Sequence, residues 1–123
     1  MQVNDPTVVA EVRAAFDAYE TALLANDIAA LDEWFWSDDR VIRFIFGRVE
    51  LGFDAIAAAR REVPRQTGPR TIDLLHINTF GTDVATVFGV FRLVETDARL
   101  HQSQVWAKVD DAWRVVAAHV STA

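Results

Sequence analysis

Arg43 is the residue whose position most strongly predicts chemistry, because it interrupts the otherwise apolar run from Val41 to Phe46. The β-branched and aromatic residues of this run are typical of a buried strand. Burying a guanidinium without a partner is costly in free energy. The sequence therefore predicts one of two environments for Arg43: an ion pair with a carboxylate of the protein, or a cavity that admits an anionic ligand.

Tyr19 is the second candidate, and it belongs to a predicted helix. Val12, Phe16, Tyr19 and Leu23 recur at steps of three and four, which places them on one apolar helix face. A buried tyrosine hydroxyl needs a partner, and beside an arginine it becomes a better acid because the cation favours the phenolate. If this helix lies across the strand of Arg43, the two side chains meet in one cavity. An ordinary core tyrosine bonded to the backbone is the alternative.

His119 is a third candidate, on the last predicted strand. Strict alternation places it on the same face as Trp113, Val115 and Ala117. There it would position a substrate, or it would be a satisfied histidine of the core. Both interpretations place the imidazole inside the protein.

Gln104 and Arg60 complete the set of candidate substrate-binding residues. Gln104 shares a strand face with Gln102 and Trp106, so its amide could hold a polar ligand beside an indole wall; exposed strand polarity explains Gln102 equally well. Arg60 continues the helix face of Ile56 four residues on, whereas its neighbour in the chain points elsewhere.

Metal and cofactor chemistry have little support in the sequence. The three histidines have no short metal-ligand spacing, and there is no cysteine. No glycine-rich phosphate loop is present, and Lys108 is the only lysine, which leaves little scope for Schiff-base chemistry. We therefore predict a site that uses neither a metal nor a cofactor.

The composition limits the class of protein and its partners. The chain has 123 residues, of which 51% are hydrophobic, as expected for a single globular domain. Its formal charge of −6 argues against nucleic acid and acidic membrane surfaces as partners. No stretch is long enough to span a membrane, and the N-terminus does not resemble a signal peptide. A cytoplasmic protein that binds a small ligand is the expectation.

Three helices and two short strands are predicted before residue 70. Helix 1 begins at Pro6 after the cap Asp5 and reaches about Asn26. A short helix capped by Asp27 follows, and then a strand that carries Arg43 and a brief strand between Gly47 and Gly52. The third helix is capped by Asp54 and runs from Ala55 to about Val63, where Pro64 ends it. Residues 66–69 form a loop.

From Arg70 onward the pattern has a period of two. It predicts four long strands at residues 71–80, 84–95, 98–109 and 113–122, joined by turns short enough to make neighbours antiparallel. The predicted order is ααββαββββ. We expect an α+β fold in which one curved antiparallel sheet wraps around the long N-terminal helix and forms a cone with a ligand cavity.

The chain also resembles a known superfamily over essentially its whole length. The motifs that carry the resemblance are Asp5-Pro6, Tyr19-Glu20, Trp36, Val41–Phe44, Gly52–Ile56, Gln102–Trp106 and Trp113–Ser121. Their types and order are similar to those of the nuclear transport factor 2-like superfamily. Within it, the chain looks most like the AtzH and HpxZ type of branch, which is associated with cyanuric acid and oxalurate catabolism.

The resemblance implies a single α+β cone over residues 1–123, usually a homodimer, with a ligand cavity at the mouth between helix and sheet. It also implies an amidase-like activity on carboxylated ureas, with Tyr19 and Arg43 as the essential pair. The branch usually continues the arginine with tyrosine and glycine, where this chain has Phe44 and Ile45, and it usually has an aromatic hydroxyl at Leu51. Ile45 shares the face of Arg43 and is expected to reshape the cavity.

Three hypotheses follow from the sequence. The first is a cofactor-free amidohydrolase acting on an N-carboxylated urea or related ureido acid, with Tyr19 and Arg43 as catalytic residues and Arg60, Gln104 and His119 positioning the substrate. The second is a non-catalytic anion-binding or dimeric assembly module in which Arg43 holds an internal carboxylate. The third is a lyase or isomerase of the polyketide-cyclase or ketosteroid isomerase kind, against which the absence of a carboxylate base in the first strand argues.

Overall fold

A computed structural model describes residues 1–62 and 68–123. The predicted order ααββαββββ is confirmed, and the fold is α+β with one curved six-stranded sheet. The helices are α1 Pro6–Leu24, α2 Ile28–Trp34 and α3 Phe53–Glu62; the strands are β1 Ile42–Ile45, β2 Arg48–Leu51, β3 Arg70–Phe80, β4 Val84–Leu93, β5 Arg99–Val109 and β6 Ala112–Thr122.

Helix α1 is fixed at its start by the predicted cap. The Asp5 carboxylate accepts hydrogen bonds from the backbone N–H groups of Thr7 and Val8, and Pro6 occupies the first turn. The helix ends at Leu24, two residues before the predicted end, because Asn26 adopts a left-handed backbone conformation with φ of 52°. Its buried face lies against the sheet and carries the side chain of Tyr19.

The sheet has the strand order β2-β1-β6-β5-β4-β3. Strands β3 to β6 form the predicted antiparallel meander. Strand β1 pairs with β6 in parallel, which differs from the fully antiparallel sheet that the sequence predicted. The reason is topological: α3 and the meander lie between the two strands in the chain, and so long a connection allows a parallel neighbour.

Strand β6 contains a bulge that changes which side chains face the core. Val105 pairs with Ala117 and Trp106 pairs with Val115, so Val116 is an extra residue in the ladder. Before the bulge the odd-numbered residues of β6 are buried, and after it Ala118 and Val120 are buried instead. Alternation carried through the strand therefore predicts the wrong face for its second half.

Helix α3 begins at Phe53, earlier than the predicted Ala55, because the carbonyl of Gly52 already accepts a bond of 3.2 Å from the N–H of Ile56. Gly52 has φ of +88°, a conformation that favours glycine. The predicted end at Val63 and Pro64, and residues 66 and 67 of the predicted loop, lie outside the described residues. In residues 1–62 and 68–123, no helix is both long and apolar enough to cross a membrane.

Candidate functional site

Arg43 points to the inner face of the sheet, where it lies directly opposite Glu50 on the neighbouring strand β2. Its Nε donates to Oε1 of Glu50 at 2.6 Å, and the two side chains are 12% and 7% exposed. The first predicted environment, an internal ion pair, is therefore present. Within residues 1–62 and 68–123, however, the two terminal nitrogens of Arg43 have no hydrogen-bonding partner.

Tyr19 is buried among aromatic rings. Its ring centroid lies 6.2 Å from Phe16, 6.4 Å from Phe35 and 6.0 Å from Trp106, the last in an edge-to-face arrangement. These contacts fix the ring, because an aromatic side chain held on three sides has few alternative rotamers. Its hydroxyl has no hydrogen-bonding partner in the described part of the chain.

Arg60 is the third buried residue of this region. Its side chain is 6% exposed, lies over the Phe35 ring at 4.3 Å and donates to Asp32 at 2.7 Å. Burial lowers the pKa of Arg60, and the positive charge of Arg43 lowers it further, while Tyr19 and Asp32 act in the opposite direction. Tyr19, Arg43 and Arg60 therefore lie within electrostatic reach of one another.

Gln104 lies on the inner face as its position in the strand predicts. It is 2% exposed, and its Oε1 accepts a bond of 2.9 Å from Nε1 of Trp106. The indole thus fixes the orientation of the Gln104 amide, in which the oxygen accepts and the nitrogen is the donor. Gln102 is also buried, at 4% exposed, so its interpretation as exposed strand polarity was wrong; its Oε1 accepts from Arg70.

His119 does not reach the site, and the prediction of an inward imidazole was wrong. The side chain is exposed on the outer face of the sheet, where its ring meets Phe44 edge-on at 5.7 Å. The cause is the bulge at Val116, which reverses the alternation before His119 is reached.

The sequence interpretation missed one further buried arginine. Arg70 has a side chain only 1% exposed and donates from Nε and Nη2 to the two oxygens of Glu20, at 2.9 and 2.7 Å. Its Nη1 lies 3.3 Å from Oε1 of Gln102, and its guanidinium lies 3.7 Å above the ring of Phe91. An arginine that opens a long strand opposite an inward helix face was the available signal.

The candidate site has an excess of positive charge. Four guanidinium groups lie around two carboxylates: those of Arg43, Arg48, Arg60 and Arg61 around Glu50 and Asp32. In a chain whose formal charge is −6, this concentration favours a small anion held locally. The site can therefore attract and orient a carboxylate.

The fold and this inward arginine define a class. An α+β cone with a six-stranded curved sheet around an N-terminal helix is the architecture of the nuclear transport factor 2-like superfamily. Residues 1–123 match the model of the AtzH-like family, and the chain belongs to that family. No curated protein matches the chain.

Solved structures agree with this assignment. A protein of unknown function from Pectobacterium atrosepticum, of the DUF3225 family, is 39% identical with a TM-score of 0.93, covering 98% of this chain and 94% of its own. A cystatin-like fold protein from Burkholderia xenovorans is 41% identical with a TM-score of 0.90, covering 99% and 96%. A nuclear transport factor 2-like protein from Pseudomonas putida shares the fold at 17% identity, with a TM-score of 0.81 and coverage of 95% and 87%.

Proposed function

We propose that this AtzH-like protein is a small cytoplasmic amidohydrolase that needs no cofactor and acts on an N-carboxylated urea or a related ureido acid in nitrogen-compound catabolism. One observation carries the proposal. Two terminal nitrogens of Arg43 and the hydroxyl of Tyr19 have no hydrogen-bonding partner within residues 1–62 and 68–123, and both residues are within electrostatic reach of Arg60.

Arg43 binds the carboxylate of the substrate in this mechanism. Glu50 occupies its Nε, so the two terminal nitrogens are the edge that faces a ligand. A planar pair of N–H donors matches a carboxylate in a bidentate geometry, and a charge-assisted bond contributes roughly 1.5–3 kcal/mol. Gln104 and Arg60 position the rest of the ureido group from β5 and from α3.

Tyr19 supplies the proton. Water adds to the ureido carbonyl carbon, the C–N bond breaks, and the leaving nitrogen takes the hydroxyl proton of Tyr19. The proton lost by the water returns to the phenolate, so Tyr19 ends the cycle unchanged. The positive charges of Arg43 and Arg60 would stabilise the negative charge that develops in the transition state.

The test measures ammonia release from a series of carboxylated ureas and ureido acids by the wild-type protein and by Tyr19→Phe. The variant deletes only the hydroxyl and keeps the ring contacts, so it should bind the substrate normally. We expect its turnover to fall about 100- to 1000-fold, the usual contribution of a general acid or oxyanion donor. Trp34→Phe, which changes a neighbouring aromatic ring but no candidate catalytic group, is the control.

A second function is favoured by the ion pair between Arg43 and Glu50. A protein in which Glu50 holds Arg43 in place would be an anion-binding or dimeric assembly module that catalyses no reaction. Equal rates for wild type and Tyr19→Phe, or no hydrolysis above the spontaneous rate, would support this binding module and contradict the amidohydrolase.

We also propose that the protein is a homodimer that pairs through the outer face of the sheet. Phe44, Leu74 and Phe88 are 41%, 51% and 56% exposed there. Leu74 and Phe88 line a pocket of about 320 Å³ together with His101 and His119. The described residues that line this pocket include no acidic or basic side chain other than histidine. Two copies that each carry −6 can approach most closely where both are uncharged.

Sedimentation measurements test the homodimer. Phe88→Asp introduces a charge at the centre of the outer face and should convert a dimer into a monomer. Val94→Asp, at a residue that is 63% exposed in the turn after β4, should leave the dimer intact. A monomeric wild-type protein would rule out this interface.

A further inference from the structure

Strand β2 contains one buried side chain, that of Glu50. It has four residues and forms the edge of the sheet. Val49 and Leu51 are 64% and 65% exposed, whereas Glu50 is 6% exposed. An ordinary edge strand buries its apolar residues and exposes its charges, so the alternation of β2 is reversed. What β2 contributes to the inner face is a carboxylate, directly opposite Arg43.

That carboxylate is only partly paired. Oε1 of Glu50 accepts from Arg43 Nε at 2.6 Å. Oε2 is buried, lies 3.5 Å from Nε of Arg48, and accepts no hydrogen bond from any residue in the described part of the chain. One negative charge is thus placed between two guanidinium groups, and the positive charge of Arg43 is only partly neutralised.

Two consequences follow for a ligand at Arg43. First, the bond from Nε fixes the plane of the guanidinium and leaves its terminal edge for the ligand. Second, a substrate carboxylate that binds this edge competes with Glu50 for the same positive charge. The charge on Glu50 therefore weakens anion binding, while its geometry orients the arginine.

We propose that Glu50 is a positioning and affinity-setting residue for the carboxylate of the ligand, acting through Arg43. Arg48 has the opposite effect on the affinity, because its positive charge partly neutralises the charge of Glu50. This inference deepens the proposed function and rests on its assignment of a carboxylate to Arg43. It predicts that removing one buried acidic group should tighten the binding of an anion.

The experiment measures binding of malonate and oxamate, as simple carboxylate probes, by calorimetry. Glu50→Gln keeps the volume and the oxygen that accepts from Arg43 but removes the charge, so both probes should bind about three- to tenfold more tightly. Arg48→Gln, at a side chain that is 33% exposed and therefore tolerant of change, should weaken binding by a similar factor. Glu20→Gln makes the same chemical change beside Arg70, away from the candidate site, and should leave the affinity unchanged.

Opposite signs for Glu50→Gln and Arg48→Gln distinguish this role from a structural one, since loss of structure would weaken binding in both variants. Equal or weaker binding by a folded Glu50→Gln contradicts the inference, and so does unchanged or tighter binding by Arg48→Gln. The second variant decides the question if Glu50→Gln does not fold. Probe binding with the predicted signs but no ureido hydrolysis would contradict the proposed function alone. Hydrolysis without these signs would contradict the inference alone, and a wild-type protein that binds neither probe would overturn it.

Discussion

Two buried arginine–glutamate pairs lie on the inner face of the same sheet, and their surroundings differ. The Arg70–Glu20 pair, which we call the sealed pair, joins β3 to α1 through two hydrogen bonds, with Gln102 and the ring of Phe91 completing the shell of Arg70. The Arg43–Glu50 pair, which we call the site pair, has one such bond, and the side chain of Arg43 is 12% exposed against 1% for Arg70.

The difference shows how a buried guanidinium serves structure or function. All three nitrogens of the Arg70 guanidinium donate to protein groups and one face lies on the Phe91 ring, so Arg70 is held by the protein itself. In the described residues, Arg43 keeps its terminal nitrogens unpaired at the place where Tyr19 and Arg60 converge. The buried Oε2 of Glu50 also accepts no hydrogen bond in the described residues, and an unsatisfied buried acceptor costs stability. The site pair is therefore less fully satisfied than the sealed pair.

The largest expected effect is on the sealed pair. Glu20→Ala leaves Arg70 buried with no counter-charge, and breaking a buried ion pair in this way typically costs about 3–5 kcal/mol. Urea unfolding monitored by tryptophan fluorescence measures the change. A loss smaller than about 1 kcal/mol would mean that Arg70 can reach solvent or another acid, and the distinction between the pairs would fail.

Gly89 tests how tightly the residues around Arg70 are packed. A Cβ at this position would lie 2.5 Å from a ring carbon of Phe91, which is fully buried beneath Arg70. Alanine in a strand is normally more stable than glycine, but here the ring has to move. Gly89→Ala should destabilise by about 1–3 kcal/mol in thermal unfolding. A stabilised variant would show that the shell of Arg70 is loosely packed.

Arg43→Met tests the site pair directly. Glu50 keeps Arg48 as a neighbouring cation, so the loss of stability should be about 1–2 kcal/mol, smaller than for Glu20→Ala. Binding of small carboxylates should be abolished, as measured by calorimetry. Unfolding of the variant at room temperature would favour a purely structural ion pair, and Arg40→Gln, at an arginine 77% exposed, is the control.

The smallest effect is expected at Asp32, which anchors Arg60. Burial raises the pKa of Asp32, but hydrogen bonds from Arg61 and Arg60 outweigh it and hold the pKa below its ordinary value. A lowered pKa stabilises the fold at neutral pH, and this contribution is lost as the pH falls through the folded-state value. Asp32→Asn should cost at most about 1 kcal/mol at neutral pH. The difference in the free energy of unfolding between Asp32→Asn and wild type should disappear at acid pH. Urea unfolding at neutral and at acid pH tests this. A difference that is the same at both pH values would contradict the prediction.

Much of the fold was predictable because each element has a clear pattern and a clear boundary. The three- and four-residue steps of α1 and the short turns of the meander leave little choice of order or direction for those elements. The parallel pairing of β1 with β6 was not predictable in the same way, since it depends on which edge of the sheet is open and not on any local residue. His119 was misplaced because one extra residue at Val116 reverses alternation without changing residue type.

The site was predictable only in part. Arg43 and Tyr19 stand out because each places a polar group in an apolar pattern. Glu50 and Glu20 do not, since an acid in a short strand or on a helix is usually solvated. The apolar residues Val49 and Leu51 even suggest that Glu50 faces outward, the opposite of what is observed. The inward direction of Glu50 is fixed by its pairing with Arg43, a contact between strands that no local pattern encodes.

The pairing of β1 with β6 also determines when the candidate site can form during synthesis of the chain. Strand β1, with Arg43, is made early, but its partner ends only at Thr122. On a ribosome that releases residues from the N-terminus onward, Arg43 and Tyr19 emerge before β6, the strand that supports β1, has been synthesised. Contacts so distant in sequence form slowly, because a long loop has to close before any contact stabilises it. The candidate site can thus be completed only after β6 is made, and until then the hairpin of β1 and β2, with its exposed Val49 and Leu51, lacks its neighbouring strand.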